Sequence, residues 1–370
     1  MNLNDYQRKA FATAKINWES PDGRCVPLFG AIGELGSVAS EFKKRLRDGK
    51  AYTKDKDGIS AEFGDVLWYL ATIASRLDLE LEALIAKPKK QVGVATKAAP
   101  YIFDLAITIG NLASTLNSSG FSPKGGDLTR VKTDLGKALA STLHAIKLEK
   151  LDLEKVLRRN LRKVHGMFGT DRIKPARQFD AKVPIYEQLP RKIAIEFIER
   201  EKLGKDKKRV EVIIRANGIN IGDRLTDNAS KDDGYRFHDA FHLGYAAVLG
   251  WSPVVRSFLR CKRKSDSKAD EVQDGARAAI IEEAVSQTVF DYARDHSMLS
   301  GLDRLDHGIL QVIQRMVRGL EVQRVDLSEW QRAILVGYEA FRALKKNGGG
   351  WLLLDAENRS LTFSREEPVV

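Results

Sequence analysis

Apolar residues recur at helical spacing from Tyr6 to about Arg47, which predicts two helices interrupted by a turn at Pro21-Asp22-Gly23 and resuming after Pro27. A polar loop, Asp48 to Gly58, leads to a strongly helical stretch from Ser60 to Leu77. There Ser60 is the expected N-cap, and Phe63, Val66, Leu67, Leu70, Ile73 and Ala74 form the apolar stripe. Leu79 to Lys87 predicts a shorter helix stopped by Pro88.

After Pro100 the plan repeats. Ile109 to Ser114 reads against Ile32 to Ser37 at an offset of 77 residues, and Asp134 to Leu139 reads against Glu62 to Leu67 at an offset of 72. Leu151-Asp152-Leu153-Glu154 matches Leu79-Glu80-Leu81-Glu82 at that second offset, and a shorter loop, Asn117 to Leu128, accounts for the difference. Two tandem helical units would pack as a pseudo-dimer, each burying the stripe the other leaves open; periodicity alone also generates such matches. From about Thr170 the texture changes: Pro175, Pro184 and Pro190 mark a linker, and Ile193–Ile198 and Val210–Arg215 flank a charged turn, predicting a β-hairpin. Helical patterns return over Tyr235–Leu249, Ala276–Ala293, Leu305–Leu320 and Leu327–Leu344. A Gly348-Gly349-Gly350 break then leads to a short hairpin or edge strands. The expected fold is mostly α: a tandem helical bundle over residues 1–92 and 98–170, a linker at 171–190, and a mainly helical α+β domain over 191–370 with a small β-hairpin.

The chain has 370 residues, enough for two or three domains, and no apolar run of membrane-spanning length. The N-terminus has no apolar core followed by a small-residue cleavage site, so a cytoplasmic location is expected. Cys25 and Cys261 match no zinc spacing and are expected as free thiols. Formal charge is +11; residues 1–170 hold 27 Lys+Arg against 19 Asp+Glu, a net +8, leaving +3 for the rest. The densest run, Arg158, Arg159, Arg162 and Lys163, lacks interleaved aromatic residues, so nucleic acid is not the expected partner.

Glu62 and Asp65 share one helix face, as do Glu34 and Glu41 on the preceding long helix. Four carboxylates on adjacent helices repel one another unless a counter-ion such as Mg²⁺ or Mn²⁺ lies between them; on spacing alone, a Glu-x-x-Asp pair is far more often a solvated face. The segments GAIGELGSVASEFKK and ISAEFGDVLWYLATIASRLDLELEAL resemble the MazG family of all-α nucleoside triphosphate pyrophosphohydrolases. That family pairs an E-x-x-E helix with an E-x-x-D helix, and the match is closest at Glu62, Asp65, Val66, Leu67, Trp68 and Tyr69. Glu34 takes the first position of E-x-x-E; the second falls on Ser37, a departure for which Glu41 is the nearby replacement. The resemblance covers residues 5–90 well and the second unit in outline, where Asn111, Asp134 and Lys137 stand at the carboxylate positions. Asn160-Leu161-Arg162-Lys163 resembles the family's N-x-x-K segment, which contacts nucleotide, where the first unit has Lys87-Pro88-Lys89-Lys90. The resemblance thus implies a composite site: Glu34, Glu41, Glu62 and Asp65 for metal, with Asn160, Lys163 and Lys44 for nucleoside triphosphate. It also implies a homo-oligomer. The implied reaction is hydrolysis to nucleoside monophosphate and pyrophosphate. A nucleotide-binding protein without turnover is the alternative, and Ser37 favours it.

In the C-terminal half His238 and His242 lie one helical turn apart, flanking Asp239, with Glu282 and Glu283 on a later helix. Two imidazoles at i and i+4 with carboxylates from another helix is a transition-metal arrangement, and it could carry an activity of its own. A core-facing and a surface histidine would give the same spacing. This segment looks like the C-terminal extension fused to some MazG-type proteins. Arg256, Arg260, Lys262, Arg263 and Lys264 could hold phosphate or form an exposed loop.

Overall fold

The computed structural model describes residues 1–53, 55–85, 97–168, 178–203 and 208–369. The chain forms two compact units, Met1–Thr170 and Asp171–Val370. No described helix is long and apolar enough to cross a membrane.

The first unit contains α1 (Leu3–Ala12), α2 (Pro21–Asp48), α3 (Asp55–Arg76), α4 (Leu81–Leu84), α5 (Ala99–Ser118), α6 (Gly125–Leu148) and α7 (Leu153–Phe168). Pro21-Asp22-Gly23, expected as a turn, is instead the first turn of α2, with Pro21 at its start and the Ser20 hydroxyl accepting from the Gly23 N–H at 3.0 Å. Proline is tolerated there because its missing N–H would have had no helical partner anyway. Ser60 is not a cap: α3 begins five residues earlier at Asp55. The stretch read as loop goes on coiling, and Gly58 lies where a Cβ would come within 2.3 Å of the Glu41 carboxylate. The predicted helix from Leu79 is described only as α4, and Lys87 to Lys90 lie outside the described residues. The α2–α3 and α5–α6 pairs pack together and share one core, in which Tyr6, Leu28, Phe63, Leu67, Leu105 and Leu139 are buried.

The second unit joins a five-stranded antiparallel sheet to helices. Its strands are β1 (Lys192–Leu203), β2 (Lys208–Ala216), β3 (Ile219–Leu225), β4 (Gly349–Asp355) and β5 (Ser360–Ser364), in spatial order β3-β2-β1-β4-β5. The expected small hairpin is therefore the centre of a larger sheet. The unpredicted β3 follows an Asn217-Gly218 turn, with both residues at positive φ, and the C-terminal hairpin pairs with β1 from Lys192↔Asp355 to Ile198↔Gly349. Gly349 opens β4 rather than breaking the chain: its φ is +113° and a Cβ would lie 2.4 Å from the Phe197 carbonyl oxygen.

The helices are α8 (Asp239–Leu249), α9 (Pro253–Phe258), α10 (Ala276–Arg294), α11 (His307–Met316) and α12 (Leu327–Asn347). Helices α8 and α12 cross closely, since a Cβ on Gly244 would be 2.8 Å from the Ala333 carbonyl oxygen, and both pack on β4 and β5. The basic run that begins in α9 is not a phosphate loop at Arg256 and Arg263. Arg256 and Arg263 are buried, paired with Asp180 (2.7 Å) and Asp274 (2.7 Å) respectively. Asp180 and Glu187 fall within the segment expected as a linker, and both are buried in this unit.

Candidate functional site

In the first unit, α2 supplies Glu34 and α3 supplies Glu62 and Asp65, each with a carboxylate oxygen within 4.8 Å of the others. Two turns of apolar residues on the opposite face of α3, including Phe63 and Leu67, hold these carboxylates on the side toward α2. Asp65 is buried and fixed from α7: it accepts from Asn160 Nδ2 at 2.8 Å and pairs with the Lys163 ammonium. The phenol of Tyr6, on α1, donates to Asn160 Oδ1 at 2.7 Å, completing a chain from α1 through α7 to α3.

Electrostatics follow from this crowding. Burial, the Asp65 carboxylate and neighbouring Glu62 push the Glu34 carboxyl up to about 8, against the opposing pull of Lys163. Glu62 is raised by burial and by Asp65, and Asp65 is raised by burial although Lys163 and Asn160 oppose it. Three acidic groups held this close accept positive charge readily, and an all-oxygen donor set suits a hard divalent cation.

The remaining predicted residues divide. Glu41 is buried outside the trio, pairing with Lys44 at 2.6 Å and accepting from the Tyr52 hydroxyl. Lys44 thereby faces Glu41, and Ser37 stands half-buried on α2. In the second helical pair Asn111 is exposed, and Asp134 is buried with Lys137 3.7 Å away. Of the basic run, Arg158 pairs with Glu154 at 2.6 Å and Arg159 with Asp57 at 3.3 Å.

The second unit brings His238, Asp239 and His242 together at the start of α8, with ligand atoms within 4.8 Å of one another. Glu282 and Glu283 approach from α10. His242 Nδ1 lies 2.8 Å from Glu282 Oε1, and Glu282 is itself held by the Ser252 hydroxyl (2.6 Å) and the Val254 N–H (2.9 Å). His238 Nδ1 lies 2.8 Å from the Tyr235 carbonyl oxygen, with the Tyr235 ring stacked on the imidazole. Burial lowers His242, but the Glu282 and Glu283 carboxylates outweigh it and hold the imidazole well above its ordinary value. Glu283 is held below the usual carboxylate range by His242 and His238, although burial opposes them.

Tyr6, Tyr52, Ser252 and Tyr235 were not among the sequence candidates. Ser252-Pro253 carries a helix-cap signal, which the structure realises through the Val255 N–H at 2.9 Å, but nothing local connects it to Glu282. The three tyrosines read as apolar-stripe or loop residues.

A profile described as the MazG C-terminal domain matches residues 174–367. The chain is also 36% identical over 90 residues to the Gene 37 protein of Mycobacterium phage L5, covering 23% of this chain and 79% of that protein. No solved structure matches.

Proposed function

This chain belongs to the MazG family, its C-terminal domain matching over residues 174–367, and from that premise we propose a metal-dependent nucleoside triphosphate pyrophosphohydrolase whose chemistry lies in the first unit. The observation that supports it is the trio of Glu34, Glu62 and Asp65, drawn from two helices and mutually within 4.8 Å. Their all-carboxylate character fits Mg²⁺ or Mn²⁺, and the raised Glu34 carboxyl is what an uncompensated cluster of this kind produces. A divalent ion bound there would neutralise charge developing on the phosphate oxygens.

The chain's own residues carry the rest. Glu34 and Glu62 are half-buried, so a water can reach them and pass a proton to one of their carboxylates as it attacks phosphorus. The phosphoanhydride bond breaks, and pyrophosphate leaves from the nucleoside monophosphate. Asp65 stays fixed because Asn160 and Lys163 hold it. Lys163 presents its ammonium at the edge of the trio, where it can be shared between Asp65 and a substrate phosphate. Asn160 acts from behind, through Asp65, so its predicted contact with nucleotide becomes a positioning role in this arrangement.

Release of monophosphate and pyrophosphate from a panel of ribo- and deoxyribonucleoside triphosphates with Mg²⁺ or Mn²⁺ tests the reading. The Glu62→Gln, Asp65→Asn variant is expected to lose about 10²-fold or more of the turnover, and a variant as active as the parent rejects the site. Ser37 and the Lys163–Asp65 pair favour one second reading, nucleotide binding without hydrolysis. Measurable nucleotide affinity with no product from any triphosphate would select it.

A further inference from the structure

We propose that the second unit holds a divalent transition-metal ion between α8 and α10, bound by Nε2 of His238 and His242 and by the carboxylates of Asp239 and Glu283. The inference is independent of the hydrolase assigned to the first unit.

Three observations carry it. First, the hydrogen bonds set the tautomers. A carbonyl oxygen and a carboxylate can only accept, so Tyr235 and Glu282 place a proton on Nδ1 of each ring, and Nε2 is the nitrogen left for a metal, which displaces any proton there as it binds. Such an outer partner on the far ring nitrogen is the usual support of a metal-ligating histidine, and Glu282 is in turn oriented by Ser252 and the Val254 N–H.

Second, His238, Asp239 and His242 form a tight donor group, and Glu283 approaches both imidazoles. Ligands about 2.1 Å from a tetrahedral ion stand about 3.4 Å from one another. Here His242 Nε2 is 3.4 Å from Glu283 Oε2 and 4.0 Å from Asp239 Oδ1, while His238 Nε2 is 3.6 Å and 4.0 Å from Asp239 and Glu283 respectively. Closing the shell draws the longer pairs in by about 0.6 Å (4.0 against 3.4 Å) and brings Glu283, which lies outside the tight His238–Asp239–His242 group, in from its exposed position. The gaps are too long for good hydrogen bonds in their place.

Third, His242 Nε2 is fully buried and makes no hydrogen bond, although it points into this cluster. A buried polar atom without a partner costs about 1–3 kcal/mol, and a metal bond removes that cost. Two neutral imidazoles and two carboxylates leave no net charge with a divalent ion, and the imidazoles favour zinc or another first-row transition metal over magnesium. Glu283, whose side chain is 44% exposed, gives the ion its way in from solvent.

The test uses Co²⁺ as a spectroscopic stand-in, titrated into the full chain carrying Glu62→Gln and Asp65→Asn so that the first unit's carboxylates do not contribute. One equivalent of Co²⁺ is expected to bind with visible absorption showing nitrogen ligation, and Zn²⁺ is expected to displace it. Glu283→Gln, on an exposed side chain, is expected to weaken binding at least tenfold. Glu282→Gln, which keeps the shape but weakens the outer support, is expected to weaken it about 10–100-fold. His238→Gln is expected to abolish the band while circular dichroism stays that of the parent. Absence of a stoichiometric band, or affinities unchanged in Glu283→Gln and His238→Gln, overturns the proposal.

Discussion

At the scale of single residues, the first site depends on a hydrogen-bond chain whose outer member is far from the chemistry. Tyr6 is fully buried, and its hydroxyl donates to Asn160, which donates to Asp65. Tyr6→Phe leaves the Asn160 oxygen buried without its best donor. The expected outcome is a loss of about 1–3 kcal/mol in unfolding free energy, read from denaturant midpoints, together with reduced turnover if Asp65 loosens. An unchanged midpoint would mean that Asn160 finds another donor, and the chain would not be what fixes Asp65. The Glu62 and Asp65 spacing was legible in the sequence because residues three apart on a helix share a face. The resemblance put Asn160 in the same site but on the nucleotide; its hydrogen bond to Asp65 was not legible, since that contact joins residues 95 apart and no local pattern encodes it.

At the scale of elements, apolar periodicity found the helices, and end signals were less faithful. Ser60 is a competent cap by chemistry, yet α3 starts at Asp55 because the preceding residues can also coil. The basic stretch after α9 shows the opposite error, in which residues that look like surface are structural. Arg263 makes paired contacts with Asp274 at 2.7 and 3.0 Å and with Glu321 at 2.7 and 3.1 Å, and also reaches the Phe179 carbonyl at 3.2 Å. Arg263→Met removes all of these and leaves the buried Asp274 with only the residue-263 N–H and the longer contact to Arg256 at 3.7 Å. Thermal or denaturant unfolding should show a loss of about 3–5 kcal/mol. A loss below about 1 kcal/mol would show that the network is replaceable by packing.

At the scale of the whole molecule, the first unit leaves apolar side chains in water on two helices that pack together. Val26, Phe29 and Ile32 on α2 and Phe103 and Ile107 on α5 are exposed, Phe29 by 70%. Among the described residues nothing covers this apolar surface, and it is where a second copy would be expected to pack. Sedimentation of the parent chain should give a mass above that of one chain, and Phe29→Lys with Phe103→Lys should weaken association at least about tenfold, or 1.4 kcal/mol. A parent that sediments as a single chain rejects self-association.

The sequence by itself determined where the apolar-striped helices run, though not where they begin, because a 3.6-residue apolar period is buried along one side of a helix. It also brought Glu62 to Asp65 and His238 to His242, because those pairs lie within one turn of their own backbone. Tertiary structure decided everything that joins separate elements: Lys163 and Asn160 on Asp65, the Tyr52 hydroxyl on Glu41, the C-terminal hairpin completing the sheet, and Glu282 behind His242. The physical reason is that side-chain periodicity specifies which face of an element is buried. Which partner meets that face is settled only when all the faces are packed at once.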